Sequence, residues 1–355
     1  MMFTTGRCVV GRTIHGVPTP SLPTVDVAAF ASGIDHDTPA AAVTAEQIDT
    51  VFRELGFLLV SGHGIEREVK ERMLDQLRVF FALPIEQKDA IAIGRSNCHR
   101  GYVAFATETL DDANTLAGDL KETIDSGPEH GPDHPEVVAG TPLHGPNQLP
   151  DLPEFREAWQ EYFFQAVEAA LRVQRGVAVA LGLPVDYLLE LPGETLYHFR
   201  MIHYPPQHRL PPAEGQLGCG VHTDYGSVTV LADDGVGGLQ VMRRDGTWID
   251  VQVPDDHLVV NLGDLMAIWT NDRYVSNPHR VVNPPDVDRY SMPLFVTPPF
   301  HARIECLETC LSPGETPRYE PMVAGPYLLS RFDNTHSYRN EILDTHNREV
   351  TDAYR

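Results

Sequence analysis

The chain has 355 residues, 42% of them hydrophobic and 22% charged, proportions that suit a globular fold and exclude wholesale disorder. Acidic residues outnumber basic ones by 50 to 27, and a formal net charge of −23 makes a phosphate backbone an unfavourable partner. Five scattered cysteines match a reducing cytoplasm better than a disulfide framework.

The opening segment MMFTTGRCVVGRTIHGVPTPSLP lacks an apolar stretch of signal-peptide length, and no run approaches the roughly 18 apolar residues of a membrane span. A soluble, cytoplasmic protein is therefore expected, with neither nucleic acid nor membrane as partner. The oligomeric state is left open. Leu22 to Phe30 (LPTVDVAAF) reads as a short extended segment. Thr44 and Gln47 stand at capping-box spacing, so a helix is expected from there, with Ile48, Val51, Phe52 and Leu55 following at i, i+3, i+4 and i+7. Gly56 to Ile65 (GFLLVSGHGI) predicts a buried strand and a Gly-rich turn. A second helix is predicted over Arg67 to Leu83, with Val69, Met73, Leu77 and Phe80 on one face and a stop at Pro84.

From about Gly94 to Leu152 periodicity fails, and Gly, Pro, His and Asp dominate. A stretch this long without regular structure is expected to be functional or mobile rather than a mere linker. A long helix is predicted over Pro153 to Leu181, burying Phe155, Trp159, Tyr162, Phe163, Ala166 and Ala170. From Glu194 the texture changes to short β runs: TLYHFRMIHY, SVTVLA, GLQVMR, TWIDVQV, HLVVNLG, LMAIWT, HRVVNPP and RYSMPLFVTP. Many short strands separated by turn residues predict a barrel or jelly roll. A helical tail is expected over Ala324 to Thr345. Cys306 and Cys310 have no second Cys or His pair at zinc-ribbon spacing.

His222-Thr223-Asp224 is the sharpest chemical feature. In an extended strand residues two apart point the same way, so this imidazole and this carboxylate converge. His279, in YVSNPHRVV, follows after an interval that holds three or four antiparallel strands, enough to return it beside the first pair. Two histidines and one carboxylate leave open positions on iron for a bidentate co-substrate and O2. Arg289 and Ser291 also lie two apart and share a face. A guanidinium fork with a neighbouring hydroxyl grips a carboxylate, and an inward-facing Arg needs such an anion.

These residues resemble the 2-oxoglutarate/Fe(II)-dependent dioxygenase superfamily, specifically its isopenicillin N synthase-like branch. The resembling stretches are PTVDVAAF, GFLLVSGHGI, HYPP at His203 to Pro206 and HTDYGSVTVL from His222. They continue through GLQV, VVNLGD, TNDRYVSNPHRV and RYSMPLF, in family order over about Leu22 to Pro298. The resemblance implies a mixed α+β fold dominated by a distorted double-stranded β-helix (jelly roll, cupin-like) with N-terminal and flanking helices. The whole chain, 1–355, would be one compact oxygenase domain. Within it, 22–130 would form an N-terminal cap region, 194–300 the Fe(II)/2-oxoglutarate core and 324–345 the C-terminal tail. The resemblance further implies His222, Asp224 and His279 as catalytic iron ligands, and Arg289 and Ser291 as anchors of the 2-oxoglutarate distal carboxylate. Tyr204 would hydrogen-bond the co-substrate. Ile202 stands where plant members often carry Asn, which argues against a plant hormone or flavonoid class.

The expected activity is oxidation, by default hydroxylation, of a small organic metabolite, using Fe(II), 2-oxoglutarate and O2 and releasing succinate and CO2. Two other readings are a 2-oxoglutarate-independent iron oxidase on the same fold and a non-catalytic small-molecule-binding barrel. Strand parity adds one more expectation. If Tyr204 faces the iron pocket, so do Ile202, Arg200 and His198, while Phe199, Met201 and His203 face the helices. An inward Arg200 requires an anion. Either a neighbouring Asp or Glu supplies it, or Arg200 holds a carboxylate of the prime substrate with Arg100 as a second clamp.

Overall fold

The structure is a computed structural model that describes residues 22–110 and 118–335. Strand β1 (Thr24–Asp26) runs into a 3-10 turn at Ala28–Phe30, so the extended reading of Leu22 to Phe30 holds only for its first half. Helix α1 (Pro39–Glu54) begins earlier than the Thr44 capping box suggests. Its N-cap is Thr38, whose side chain accepts from the Ala41 amide at 3.2 Å, and Pro39 occupies the first turn. Thr44 is buried inside the helix and donates to the Asp26 carbonyl. Strand β2 (Phe57–Ser61) and helix α2 (Arg67–Phe81) follow as expected, and a short α3 (Ile85–Asp89) lies beyond Pro84.

The stretch from 94 to 152 is not wholly irregular. It contributes β3 (Gly101–Val103), β4 (Glu122–Ser126) and the single turn α4 (Pro135–Val138). All five residues of β4 are buried although four of them, Glu122, Thr123, Asp125 and Ser126, are polar, and that composition hides the strand from any hydrophobic pattern. Helix α5 (Phe155–Ala180) buries Phe155, Trp159, Tyr162, Phe163, Ala166 and Ala170 as expected.

The remaining strands are β5 (Leu196–Tyr204), β6 (Cys219–His222), β7 (Val228–Asp233) and β8 (Leu239–Met242), then β9 (Trp248–Asp250), β10 (Leu258–Leu262), β11 (His279–Val281) and β12 (Arg289–Thr297). The LMAIWT run, expected as a strand, is helix α6 (Asp264–Trp269). A six-residue apolar run gives no period by which to tell the two apart, and burial of Leu265, Met266, Ile268 and Trp269 suits a helical turn. Helix α7 (Ala324–Thr335) covers the described part of the expected tail; Thr345 lies outside the described residues.

An eight-stranded sheet has the order β1-β2-β10-β7-β12-β5-β4-β3, and a four-stranded sheet has the order β6-β11-β8-β9. The two face each other as a jelly roll. Side-chain alternation divides the core accordingly. Leu58 and Val60 of β2, with Leu258, Val260 and Leu262 of β10, join the helices in one apolar cluster. Phe57, Leu59 and Val259 turn the other way and pack with Leu239, Val241 and Val281 between the sheets. Between the sheets is where the polar residues of interest converge.

Candidate active site

His222 and His279 are register partners across the antiparallel β6–β11 pair, which sets their rings side by side with centroids 4.2 Å apart. Asp224 lies two residues beyond the end of β6, so the loop after the strand, rather than strand alternation, brings it beside His222. Its Oδ1 lies 3.8 Å from His222 Nε2 and 3.7 Å from His279 Nε2, and one donor atom from each of the three lies within 4.8 Å of the others. Ligands about 2.1 Å from one ion stand no more than about 4.2 Å apart, so both carboxylate–imidazole pairs fit a shared metal.

Neighbouring groups aim the three donors. His222 Nδ1 donates to the Gly220 carbonyl at 2.8 Å and His279 Nδ1 to that of Asn277 at 3.2 Å, which leaves each Nε2 lone pair facing Asp224. Asp224 Oδ2 accepts from Thr229 at 2.5 Å and from Asn261 at 2.6 Å, so Oδ1 remains for the metal. Asn261 reaches it because β10 places Val259 and Asn261 inward; it belongs to the VVNLGD motif, but its function was not foreseen. Burial pushes the His279 imidazole down to about 4, keeping it neutral as a ligand must be. Burial by itself would raise the Asp224 carboxyl; the facing imidazoles and its two hydrogen bonds outweigh this and lower it. Phe57 packs edge-on against His279 with centroids 5.1 Å apart.

Two adjoining cavities meet at His222 and Asp224. The inner one contains Tyr204, Arg289 and Ser291. Arg289 and Tyr204 are register partners, so their side chains share the inner face, with the guanidinium 4.8 Å from the Tyr204 ring centre. Arg289 is fully buried. Its Nε donates to the Gly237 carbonyl at 2.5 Å and Nη1 to Ser291 at 3.3 Å, while Nη2 has no hydrogen-bond partner and sits 3.7 Å from Asp233. A buried, unsatisfied guanidinium nitrogen beside a hydroxyl is what a carboxylate would complete. Burial raises the Tyr204 hydroxyl to about 12, which preserves it as a donor.

The outer cavity is walled by Leu110, Phe295, Leu328 and Phe332, with Glu108, His198, Arg200 and Thr297 as its polar groups. Strand parity places β5 as expected: His198, Arg200, Ile202 and Tyr204 line the cavities, while Phe199 and Met201 join the helical core. Arg200, however, already has its anions. Nε and Nη2 clamp Asp125 at 2.7 and 3.0 Å, and Nη1 meets both oxygens of Glu108 at 3.0 and 3.1 Å. The ion-pair alternative is thus the one this geometry favours, and β4 supplies the partner by register, Asp125 opposite Arg200. Arg100 is buried too, but lines a third, smaller cavity rather than the one at the triad.

Sequence reasoning missed Lys121, which lies in the inner cavity and bridges Asp119 and Glu108. Only the polar, aperiodic stretch before β5 carries these residues, so no pattern marks them. Among the described residues, His99–Asp125–His198 and His130–His134–Glu194 also gather possible donors. In the first, Arg200 already holds Asp125. Cys306 and Cys310 are free thiols outside every such grouping.

Two family models match the chain. The 2OG-Fe(II) oxygenase superfamily covers residues 196–298, and the non-haem dioxygenase N-terminal model (named for morphine synthesis) covers residues 22–152. A 2-oxoglutarate-Fe(II) type oxidoreductase of Emericella nidulans, hxnY, is 38% identical over 319 residues, spanning 87% of this chain and 90% of that protein. A full-length Neurospora crassa protein solved with alpha-KG (2-oxoglutarate) superposes with a TM-score of 0.75 at 31% identity, covering 88% of this chain and 96% of the other. The same Neurospora protein with alpha-KG and thymine gives a TM-score of 0.73 at 30% identity and the same coverage.

Proposed function

Because the chain belongs to the 2OG-Fe(II) oxygenase superfamily, we propose that His222, Asp224 and His279 hold its iron, that Arg289, Ser291 and Tyr204 hold 2-oxoglutarate, and that a small, flat, cyclic metabolite is hydroxylated in the outer cavity. The activity itself, Fe(II)- and 2-oxoglutarate-dependent oxygenation, is the family's. One observation carries the residue assignment: the three converging donors and the unsatisfied Arg289 Nη2 line one cavity.

Bound iron supplies oxygen activation, coupled to oxidative decarboxylation of 2-oxoglutarate to succinate and CO2. The chain supplies everything else. Gly220 and Asn277 fix the imidazole orientations, and Thr229 and Asn261 fix the carboxylate. Arg289 and Ser291 set the depth at which a dicarboxylate enters. The unsatisfied nitrogen speaks for that co-substrate over a 2-oxoglutarate-independent oxidase, and a non-catalytic barrel has no use for three converging donors.

The aromatic walls Phe295 and Phe332 support a planar substrate, as does the thymine complex of the Neurospora protein. No helix among the described residues is long and apolar enough to cross a membrane. The buried free thiols Cys98 and Cys219 support our further inference of a reducing, cytoplasmic setting.

The test is to load the protein anaerobically with Fe(II) and 2-oxoglutarate, add a metabolite panel, admit O2 and measure succinate. Ring compounds of nucleobase size are expected to trigger release, and a response confined to acyclic compounds overturns the substrate reading. His279→Ala is expected to lose bound iron and turnover, whereas His301→Ala, at an exposed side chain outside the cavities, retains both. Full iron content and succinate release in His279→Ala would remove that residue from the ligand set.

A further inference from the structure

Arg100 and Arg200 are both buried, 4% and 6% exposed, yet their surroundings differ in kind. Two carboxylates enclose Arg200. Arg100 Nη1 and Nη2 reach only the carbonyl oxygens of His99 and Leu143, each at a long 3.3 Å, and its buried Nε has no hydrogen-bond partner. Cys98, Asp125 and Glu129 act on it only through space. Asp125 is committed to Arg200 and His198, and Glu129 to Asn147 and Arg156. A permanent cation buried without a counter-ion is strongly unfavourable, and a guanidinium cannot escape the penalty by losing its proton.

The surroundings nevertheless make room for it. A Cβ at Gly127 would stand 2.3 Å from Arg100 Nη2, so the glycine leaves the space that the guanidinium occupies. The small cavity beside Arg100 has apolar walls at Leu143 and Leu196, and it shares His198, Thr297, Leu328 and Phe332 with the outer cavity. An anion placed there would meet the guanidinium at one end, and its body would extend past Phe332 toward the triad.

We propose that this side cavity is an anion subsite, in which Arg100 binds the carboxylate of a flat-ring carboxylic acid whose ring lies in the outer cavity. The inference rests on the reading of the outer cavity as the prime-substrate site. It moves substrate recognition from Arg200, whose charge is spent within the protein, to Arg100, whose charge is not.

The experiment uses the holoenzyme, held anaerobically with Fe(II) and saturating 2-oxoglutarate so that Arg289 is not the binding group. Benzoate and its neutral counterpart benzamide are titrated, and the melting temperature is followed. Benzoate is expected to raise it saturably, with at least about tenfold tighter apparent affinity than benzamide. Arg100→Gln brings benzoate down to the benzamide level, and Arg100→Lys restores part of the difference. Equal shifts for the two probes in the wild-type protein overturn the subsite without any variant having to fold, as does a benzoate shift that survives Arg100→Gln. Succinate release from the metabolite panel reports separately on the oxygenase site. If neutral rings release succinate while benzoate fails to bind, the subsite falls and the proposed function stands.

Discussion

At Arg289 a fully buried guanidinium keeps Nη2 without a hydrogen bond while its other nitrogens are held by Gly237 and Ser291. A co-substrate carboxylate completing that fork gains a charge-assisted hydrogen bond worth about 1.5–3 kcal/mol. Arg289→Leu is therefore expected to raise the KM for 2-oxoglutarate roughly 10- to 100-fold, with iron content unchanged. An unaltered KM in a folded variant would show that the co-substrate is anchored elsewhere. The contrast between Arg100 and Arg200 belongs to the same scale. Two identical side chains at similar burial have opposite capacity for a ligand, because one has carboxylates within reach and the other has only carbonyls.

Helix α5 is the element that backs the large sheet, and Gly176 faces α1 from it. A Cβ there would stand 2.6 Å from Ile48 Cδ1 and 3.2 Å from the Phe30 ring, so glycine is what lets the two helices meet. Gly176→Val should force Ile48 and Phe30 off their positions and cost about 1–3 kcal/mol of stability. Chemical denaturation should show a lower midpoint with iron and 2-oxoglutarate binding intact, since this contact lies on the outer face of the sheet. A midpoint equal to wild type would mean that the interface yields freely. Helix α7 serves the site itself, with Leu328 and Phe332 forming walls common to the outer cavity and the Arg100 cavity.

Across the whole molecule, stability is tied to pH through buried carboxylates on β4. Burial would raise the Asp125 carboxyl, but the Arg200 guanidinium and His198 against it hold it well below the usual aspartate range. Glu122 is also lowered: burial opposes this, and hydrogen bonds from His203, Lys88 and Tyr102 prevail. A carboxyl lowered by folding contributes stability that is complete above its unfolded value, about 3.9 for aspartate, and drains away as pH falls below it. Asp125→Asn is expected to cost about 3–5 kcal/mol at neutral pH, because it leaves Arg200 with less charge compensation. The gap between wild type and variant should narrow once the pH drops beneath about 4. Urea unfolding at pH 7, 5 and 3.5 measures this, and a gap that stays constant would separate the acid sensitivity from the Asp125–Arg200 pair.

The chemistry was legible because it is written in short-range spacing. Arg289 and Ser291 stand two residues apart within β12, where a strand turns that spacing into a shared face, whereas β6 ends at His222 and Asp224 meets that histidine from the loop beyond. The inward direction of Arg200 and the outward direction of Phe199 and Met201 followed from the same parity, and the helical faces of α2 and α5 from the 3.6-residue helical period. Capping and short apolar runs were less certain guides: Thr38 rather than Thr44 starts α1, and LMAIWT coils into α6. What only the tertiary structure decided is which groups meet across the fold. Arg200 finds Asp125 75 positions away and Glu108 92 away through sheet register and loop placement. Arg100, in the same aperiodic stretch, has no carboxylate in hydrogen-bond contact among the described residues. A side chain's direction depends on its own strand, but its counter-ion depends on how distant segments align, and no local pattern records that alignment.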